Sequence, residues 1–446
     1  MKTPICDFAE NYIKNNPTRV HMPGHKGESF LGFEKFDLTE MEGADDLYHP
    51  EGIIKESEDL ASSLFGFSTF YSTEGSSQCI RAMMYLAALY AKERGENLRV
   101  LAGRNAHKTF LSAAALLNFE IEWLIPDNMS SYLSCVVTSV QLEERLKNRG
   151  SLPHVLYLTD PDYLGNKADI KSIAAVCKKY GVILIIDNAH GAYLKFLPES
   201  LHPVDLGADI CCSSAHKTLP ALTGGAYIHI NEKAPEVFKR EVKAALSLFG
   251  STSPSYLILE SLDKVNEYIA NGYKEKLSQF TLKADALKKE LQNFGYSFIG
   301  DEKIKFTFDI KKYGYTGDEF AEILLTKNIV TEFHDRDFLV MMLTPETGEK
   351  GLEKIKSTLM EIPKKAEITG NPPDFNQNEA KLSIRETLFS LKETIKVEEA
   401  EGRICASFNL ACPPAVPILV PGEIIDKNAV ECFKYYGIEK IDVLKG

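Results

Sequence analysis

The stretch VILIIDNAHGAYLKF at 182–196, followed by DICCSSAHKTL at 209–219, decides the fold. Each contains, at or next to its start, a short apolar run in which every position, not every second one, is hydrophobic (182–186 and 210–212). Such runs read as strands covered on both faces, as in a parallel sheet flanked by helices. Each run then breaks into polar residues: Asp187-Asn188-Ala189-His190-Gly191 after the first, Ser213-Ser214-Ala215-His216-Lys217 after the second. Open α/β sheets bind their ligands at the carboxyl ends of such strands.

Outward from there, the same alternation continues. Asp169 caps the helical segment IKSIAAVCKKY, which Gly181 ends. HVLYL (154–158), LRVLA (98–102), IEWLI (121–125) and GAYIHI (225–230) read as further strands. Ser76 to Arg94 reads as a helix closed by Gly95, and Thr138 with Gln141 as a capping box opening a helix to about Lys147. A helical stretch is predicted from about Pro254 to Phe294. IKFTFDI (304–310) and FLVMML (338–343) then give a smaller α+β part. Residues 364–377 read as a loop, and about 378–399 as a charged helix. The apolar, proline-rich tail GRICASFNLACPPAVPILVPGE must pack on the domain or on a partner subunit. The expected division is an arm at 1–52, a large domain at 53–295 and a C-terminal α+β domain at 296–446.

Composition narrows the function classes. The 446 residues carry a net charge of −12, which argues against a general nucleic-acid or anionic-membrane binder. No run of about 18 apolar residues and no apolar signal core occurs, so the expected location is the cytoplasm. The nine cysteines include no C-x-x-C pair and read as buried reduced thiols. His21 and His25 are four apart, but Pro23 and Gly24 forbid the helix that would aim both at one metal; no metal is expected.

Four blocks carry chemistry. Thr73-Glu74-Gly75-Ser76-Ser77 precedes a helix, whose free N–H groups and dipole suit a phosphate. His107, in the loop after a strand, can stack on an aromatic ring. Asp187 ends a buried strand, where an unpaired charge is costly. Lys217 ends the next one, and a neutral lysine attacks carbonyls. Each block has a plain structural reading: N-cap, exposed histidine, ion pair. Together they are the groups that hold pyridoxal phosphate. The carboxylate keeps the pyridine nitrogen protonated and the lysine forms the Schiff base.

HMPGHKG (21–27), DLTEMEGADDLYHPEG (37–52), STEGSS (72–77), GRNAHKTF (103–110), DNAHGAYLKF (187–196), SSAHKTL (213–219) and CPPAVPILVPGE (412–423) together resemble the bacterial ornithine/lysine/arginine decarboxylases. These are pyridoxal-phosphate enzymes of the aspartate-aminotransferase fold. The resemblance implies a large domain with a mainly parallel seven-stranded sheet and a smaller α+β C-terminal domain, without the wing domain of the large inducible enzymes. It implies that Lys217 is the Schiff-base lysine, Asp187 the partner of the pyridine nitrogen and His107 the stacking ring. Gly75, Ser76, Ser77 and Ser214 hold the phosphate with His216 nearby, and His190 lies near the ring hydroxyl. Lys217 or His216 protonates the product carbon. The implied reaction is decarboxylation of arginine, lysine or ornithine, in polyamine metabolism, by a homodimer or higher oligomer whose arm and tail cross the subunit boundary.

The substrate side departs from the family pattern. Asn188 stands for Glu, Tyr193 for His and Glu74 for Asn. Asp160-Pro161-Asp162-Tyr163-Leu164-Gly165 stands for Ser-Pro-Thr-Tyr-Tyr-Gly. Ser407 and Cys412 replace Glu and Tyr, and Ala415-Val416 replaces Gly-Ile. The expectation is normal cofactor binding with a shifted preference among basic amino acids. Asp160, Asp162 or Glu74 would face the distal cation, and His25 is a further substrate-side candidate. An aminotransferase or lyase, or a non-catalytic regulatory relative, are the alternatives these departures raise.

Overall fold

A computed structural model describes all residues except 127–130, 148, 376 and 409–414. Its first elements are α1 (Pro4–Asn15), α2 (Ile53–Phe65), β1 (Ser68–Ser72), α3 (Gly75–Lys92), β2 (Arg99–Gly103), α4 (Lys108–Leu117), β3 (Glu120–Leu124) and α5 (Ser139–Lys147). There follow β4 (Val155–Thr159), α6 (Ile170–Tyr180), β5 (Ile183–Asp187), β6 (Ile210–Ser213), the one-turn α7 (Ala215–Thr218), β7 (Ala226–Ile230), α8 (Glu236–Leu248), α9 (Tyr256–Tyr268) and α10 (Lys274–Phe294).

The strands form a seven-stranded sheet in the order β1-β7-β6-β5-β4-β2-β3. β5 pairs with β6 and β2 with β3 in parallel, whereas β7 runs antiparallel to both β6 and β1. All residues of β5, β6 and β7 are buried, as their continuous apolar runs require. The capping box of α5 is present: Gln141 N donates to Thr138 Oγ1 at 3.2 Å and Thr138 N to Gln141 Oε1 at 3.0 Å. The long helical stretch is interrupted: Asn271 and Gly272 leave helical geometry, Gly272 at φ 91°, and separate α9 from α10.

The chain divides into two compact units. The first comprises Met1–Leu98, His154–Leu156 and Ile170–Ser278. In it, α1 is anchored by a carboxylate remote in sequence. Ile5 N and Cys6 N, in its first turn, donate to Asp263 Oδ2 at 3.0 and 3.1 Å. Ser57 Oγ donates to the other oxygen at 2.6 Å. An acidic group here satisfies orphan N–H groups and meets the positive end of the helix dipole.

The second unit comprises Arg99–Pro153, Tyr157–Asp169 and Gln279–Gly446. It carries β8 (Phe298–Ile299), β9 (Lys305–Asp309), α11 (Gly317–Thr326), β10 (Phe333–His334), β11 (Phe338–Met342) and α12 (Gly348–Glu361). Its antiparallel sheet runs β10-β11-β9-β8. The remaining elements are α13 (Ile384–Leu388), β12 (Lys392–Lys396), α14 (Lys427–Tyr435) and β13 (Lys440–Leu444). The charged helix expected at 378–399 is thus corrected. Only α13, opened by a Ser383–Glu386 capping box, is α-helical; a 3-10 turn covers Val397–Glu399, and β12 pairs with β13. Thr394 and Ile395 are β-branched, and their partner strand lies more than 40 residues downstream, beyond any local pattern. The tail packs on its own unit: Val416, Ile418 and Leu419 are buried in one core with Leu133, Val340 and Phe433. All eight described cysteines are free and buried.

Candidate active site

In the first unit, the site forms on three turns, those that follow β5, β6 and β1. The turn after β5 carries Asp187, Asn188 and His190; the turn after β6 carries Ser214, His216 and Lys217. Lys217 Nζ donates to His190 Nε2 at 2.9 Å. Asp187 is buried, and its Oδ1 accepts from Ala189 N at 3.2 Å and from the Cys212 thiol at 3.6 Å. Asn188 Nδ2 donates to Ser213 Oγ at 3.0 Å, and Ser214 N to Ala189 O at 3.3 Å, so the two turns brace each other. A Cβ on Gly191 would lie 1.9 Å from Asn188 Oδ1, so the brace requires glycine there.

The third turn opens α3. Ser76 and Ser77 lie in its first helical turn, and no side chain caps it. Ser72 Oγ instead holds the approach, accepting from Glu74 N at 3.2 Å and donating to Gln78 Oε1 at 2.6 Å. Gly75 N donates to Gly224 O at 2.7 Å. His216 Nδ1 donates to Gly225 O at 3.0 Å, which orients its ring beside Gly75. Gly224 and Gly225, whose carbonyls accept these two bonds, are site-lining positions that sequence reasoning missed. The Thr-Gly-Gly run ahead of a buried strand is the signal that marks them.

The donor set fits pyridoxal phosphate. The first-turn N–H groups and hydroxyls suit a phosphate, an amine suits an aldehyde and a buried carboxylate suits a pyridinium. The buried hydroxyls of Thr73 and Thr218, flanking the cradle and Lys217, have no hydrogen-bond partner among the described residues. Unfilled buried hydroxyls are costly, as a site built around a polar group would leave them in its absence.

The remaining candidates divide between the two units. His107, in the second unit, is the N-cap of α4; its Nδ1 accepts from Thr109 N at 3.2 Å. Asp162 accepts from Leu164 N, Asn166 N and Asn166 Nδ2, each at 2.9 Å. Asp160 accepts from Ala168 N at 2.6 Å, and burial pushes its pKa up to about 7. Both carboxylates shape their own loop. In the first unit, Glu74 is exposed and accepts from Ser251 N at 2.5 Å. His25 Nε2 meets Asp37 Oδ2 at 3.1 Å. Ser407 Oγ accepts from Asp442 N at 2.9 Å, and Cys412 lies outside the described residues.

The profile of the Orn/Lys/Arg decarboxylase major domain matches residues 3–304, and that of the family's C-terminal domain matches 375–440. The chain belongs to the Orn/Lys/Arg decarboxylase family. It is 32% identical over 465 residues to the uncharacterized protein YaaO of Bacillus subtilis (strain 168), covering 97% of this chain and 93% of that one. It is 29% identical to the arginine decarboxylase of the same organism, with the same coverage. Among solved structures, it resembles the E. coli constitutive lysine decarboxylase with a TM-score of 0.77 at 18% identity, covering 100% of this chain and 82% of that one. It resembles lysine decarboxylase A of Pseudomonas aeruginosa with a TM-score of 0.81 at 16% identity, covering 99% and 80%. At that identity the likeness shows the fold. This Orn/Lys/Arg decarboxylase family chain is a pyridoxal-phosphate enzyme that decarboxylates a basic amino acid. No helix among its described residues is long and apolar enough to cross a membrane.

Proposed function

We propose that the substrate is L-arginine and that the reaction runs through Lys217. The observation that carries the proposal is the Lys217–His190 contact at 2.9 Å, an amine and its proton acceptor on adjacent strand ends. The choice of arginine rests on relatives named arginine decarboxylase, 27–29% identical over most of this chain.

Pyridoxal phosphate, when bound, supplies the electron sink for the pair released as CO2 leaves. The chain's residues do the rest. Lys217 Nζ would be the amine that holds the cofactor's aldehyde, and His190 Nε2, 2.9 Å away, would take and return its proton. Asp187 keeps a proton on the ring nitrogen. Ser76, Ser77, Ser214 and the first-turn N–H groups hold the phosphate, with the His216 ring beside Gly75. His107 stacks on the ring. Lys217 or His216 delivers the proton to the product carbon. Orientation of the scissile bond selects decarboxylation over other outcomes, which is a positioning effect.

Glu74, exposed beside the cradle and in the same unit as Lys217, is the carboxylate we assign to the distal cation. Asp162, which accepts three N–H groups of its own loop, is assigned to that loop. The arm 1–52, a cofactor-binding part at 53–295 and a C-terminal part at 296–446 are the working division. We place the protein in the cytoplasm as a two-fold homodimer. Exposed Val20, Met22, Phe30 and Leu31 on the arm support an apolar subunit contact.

The test is kcat/KM for arginine, lysine and ornithine in wild type and E74Q. The proposal expects arginine to lead, and E74Q to raise KM for it about tenfold, as loss of a charge-assisted contact does. Equal rates for all three, or an unchanged KM in E74Q, would remove these assignments.

A further inference from the structure

Arg104 and Glu423 form an ion pair at 3.3 Å whose side chains are only 5% and 3% exposed. Arg104 does more than neutralise the acid. Its Nη1 donates to Pro417 O at 3.1 Å and its Nη2 to Ile418 O at 3.0 Å. Glu423 Oε2 also accepts from Val420 N at 2.8 Å. The segment 415–420 belongs to no helix or strand, so its buried carbonyls need partners from outside. A planar guanidinium supplies two in one fork; an ammonium, a point charge, does not.

The clamped segment leads directly to His107. Lys108 N, the first N–H of α4, donates to Ala415 O at 2.8 Å. The next N–H, on Thr109, goes to His107 Nδ1, and the third, on Phe110, goes to His107 O at 2.8 Å. The tail carbonyl and the His107 ring therefore cap α4 jointly. Ala415 is held at φ 59°, in the left-handed region that a residue with a Cβ avoids. Two residues later the Arg104 fork pins the chain. Arg104 itself stands three residues before His107, in the same loop.

We propose that the Arg104–Glu423 pair is a positioning device. It holds the 415–423 segment so that Ala415 caps α4 and the His107 ring keeps its working orientation. This rests on the reading that His107 stacks on the cofactor, so the experiment includes a variant that tests that reading separately.

The dissociation constant of pyridoxal phosphate and the visible circular dichroism of the bound cofactor are measured for H107A, R104M, R104K and R104M/H107A. We expect H107A and R104M each to weaken retention, R104M by up to about 100-fold, the effect of a small misplacement. R104K should resemble R104M, because charge without the fork does not suffice. In the H107A background, R104M should add less than about twofold, since both act on one contact. Full additivity, or rescue by R104K, would overturn the positioning role while leaving His107 in place. An H107A variant that retains cofactor like wild type would overturn the reading of His107, and the inference with it. If R104M does not fold by far-ultraviolet circular dichroism, E423Q takes its place in the same cycle. A415G provides a second readout: it removes the strain and should restore retention in E423Q. Failure to do so contradicts the proposed route through Ala415.

Discussion

Lys217 Nζ and His190 Nε2 lie 2.9 Å apart, on the turns that follow β6 and β5. A lysine attacks a carbonyl only as the neutral amine, and an imidazole within hydrogen-bond reach is a group able to take its proton. K217A is therefore expected to abolish turnover and covalent retention of the cofactor. H190N should keep the cofactor but lower kcat by roughly 10²–10⁴, the range for loss of a positioned acid–base group. Gel filtration with absorbance detection and steady-state kinetics check both. Wild-type kcat in H190N would remove His190 from the mechanism.

Gly224 allows the chain to approach the phosphate cradle. A Cβ there would lie 2.8 Å from Thr73 O, at φ 101°. G224A is expected to destabilise by about 1–3 kcal/mol, as overpacking does, and to weaken cofactor binding. Gly24 has nothing within 4 Å of a built Cβ, so G24A is the control and should change neither. Urea unfolding and cofactor titration of both variants decide it. Normal cofactor affinity in G224A would show that the cradle does not depend on this contact.

The fold is legible in the sequence because its signals are local. Continuous apolar runs mark buried strands, and polar residues at their ends mark ligand-facing turns. Lys217 and Asp187 fall within a few residues of such runs. What the sequence hid is contact between distant residues. Asp263 at the start of α1, Glu423 under Arg104, and the pairing of β12 with β13 join positions far apart in the chain. The segment 378–399 misleads for the same reason: its charges read as helix until the partner strand is known. The aspartates at 160 and 162 drew attention as charges, yet burial and backbone donors occupy them.

Asp263 anchors the arm, and burial pushes its pKa up to about 6. D263A leaves the N–H groups of Ile5 and Cys6 without this acceptor, and a loss of about 3 kcal/mol is expected. The pH dependence has a definite sign. Because the folded pKa lies above the unfolded value near 3.8, the folded protein binds the proton first. Wild type should gain stability relative to D263A as pH falls from about 6 to about 4. Denaturant midpoints across that range test it, and a fall in relative stability would place the folded-state pKa below the unfolded value.

His202 has the opposite sign. It is fully buried among Phe65, Phe67 and His229, and burial lowers its pKa to about 3. The unfolded histidine titrates near 6.5, so its contribution is complete above that pH and fades as pH falls toward 3. Relative to H202F, wild type should lose about 1.4 kcal/mol per pH unit below about 6.5. Parallel stability curves for the two proteins would mean that His202 does not titrate on unfolding.

The central claim is decarboxylation of a basic amino acid through Lys217, and the most direct measurement is product balance. Purified protein loaded with pyridoxal phosphate is given L-arginine, and CO2 and the organic product are quantified together, with K217A in parallel. The account predicts equal amounts of CO2 and the corresponding amine from wild type, and neither from K217A. A keto acid formed without CO2, or CO2 release undiminished in K217A, would contradict it.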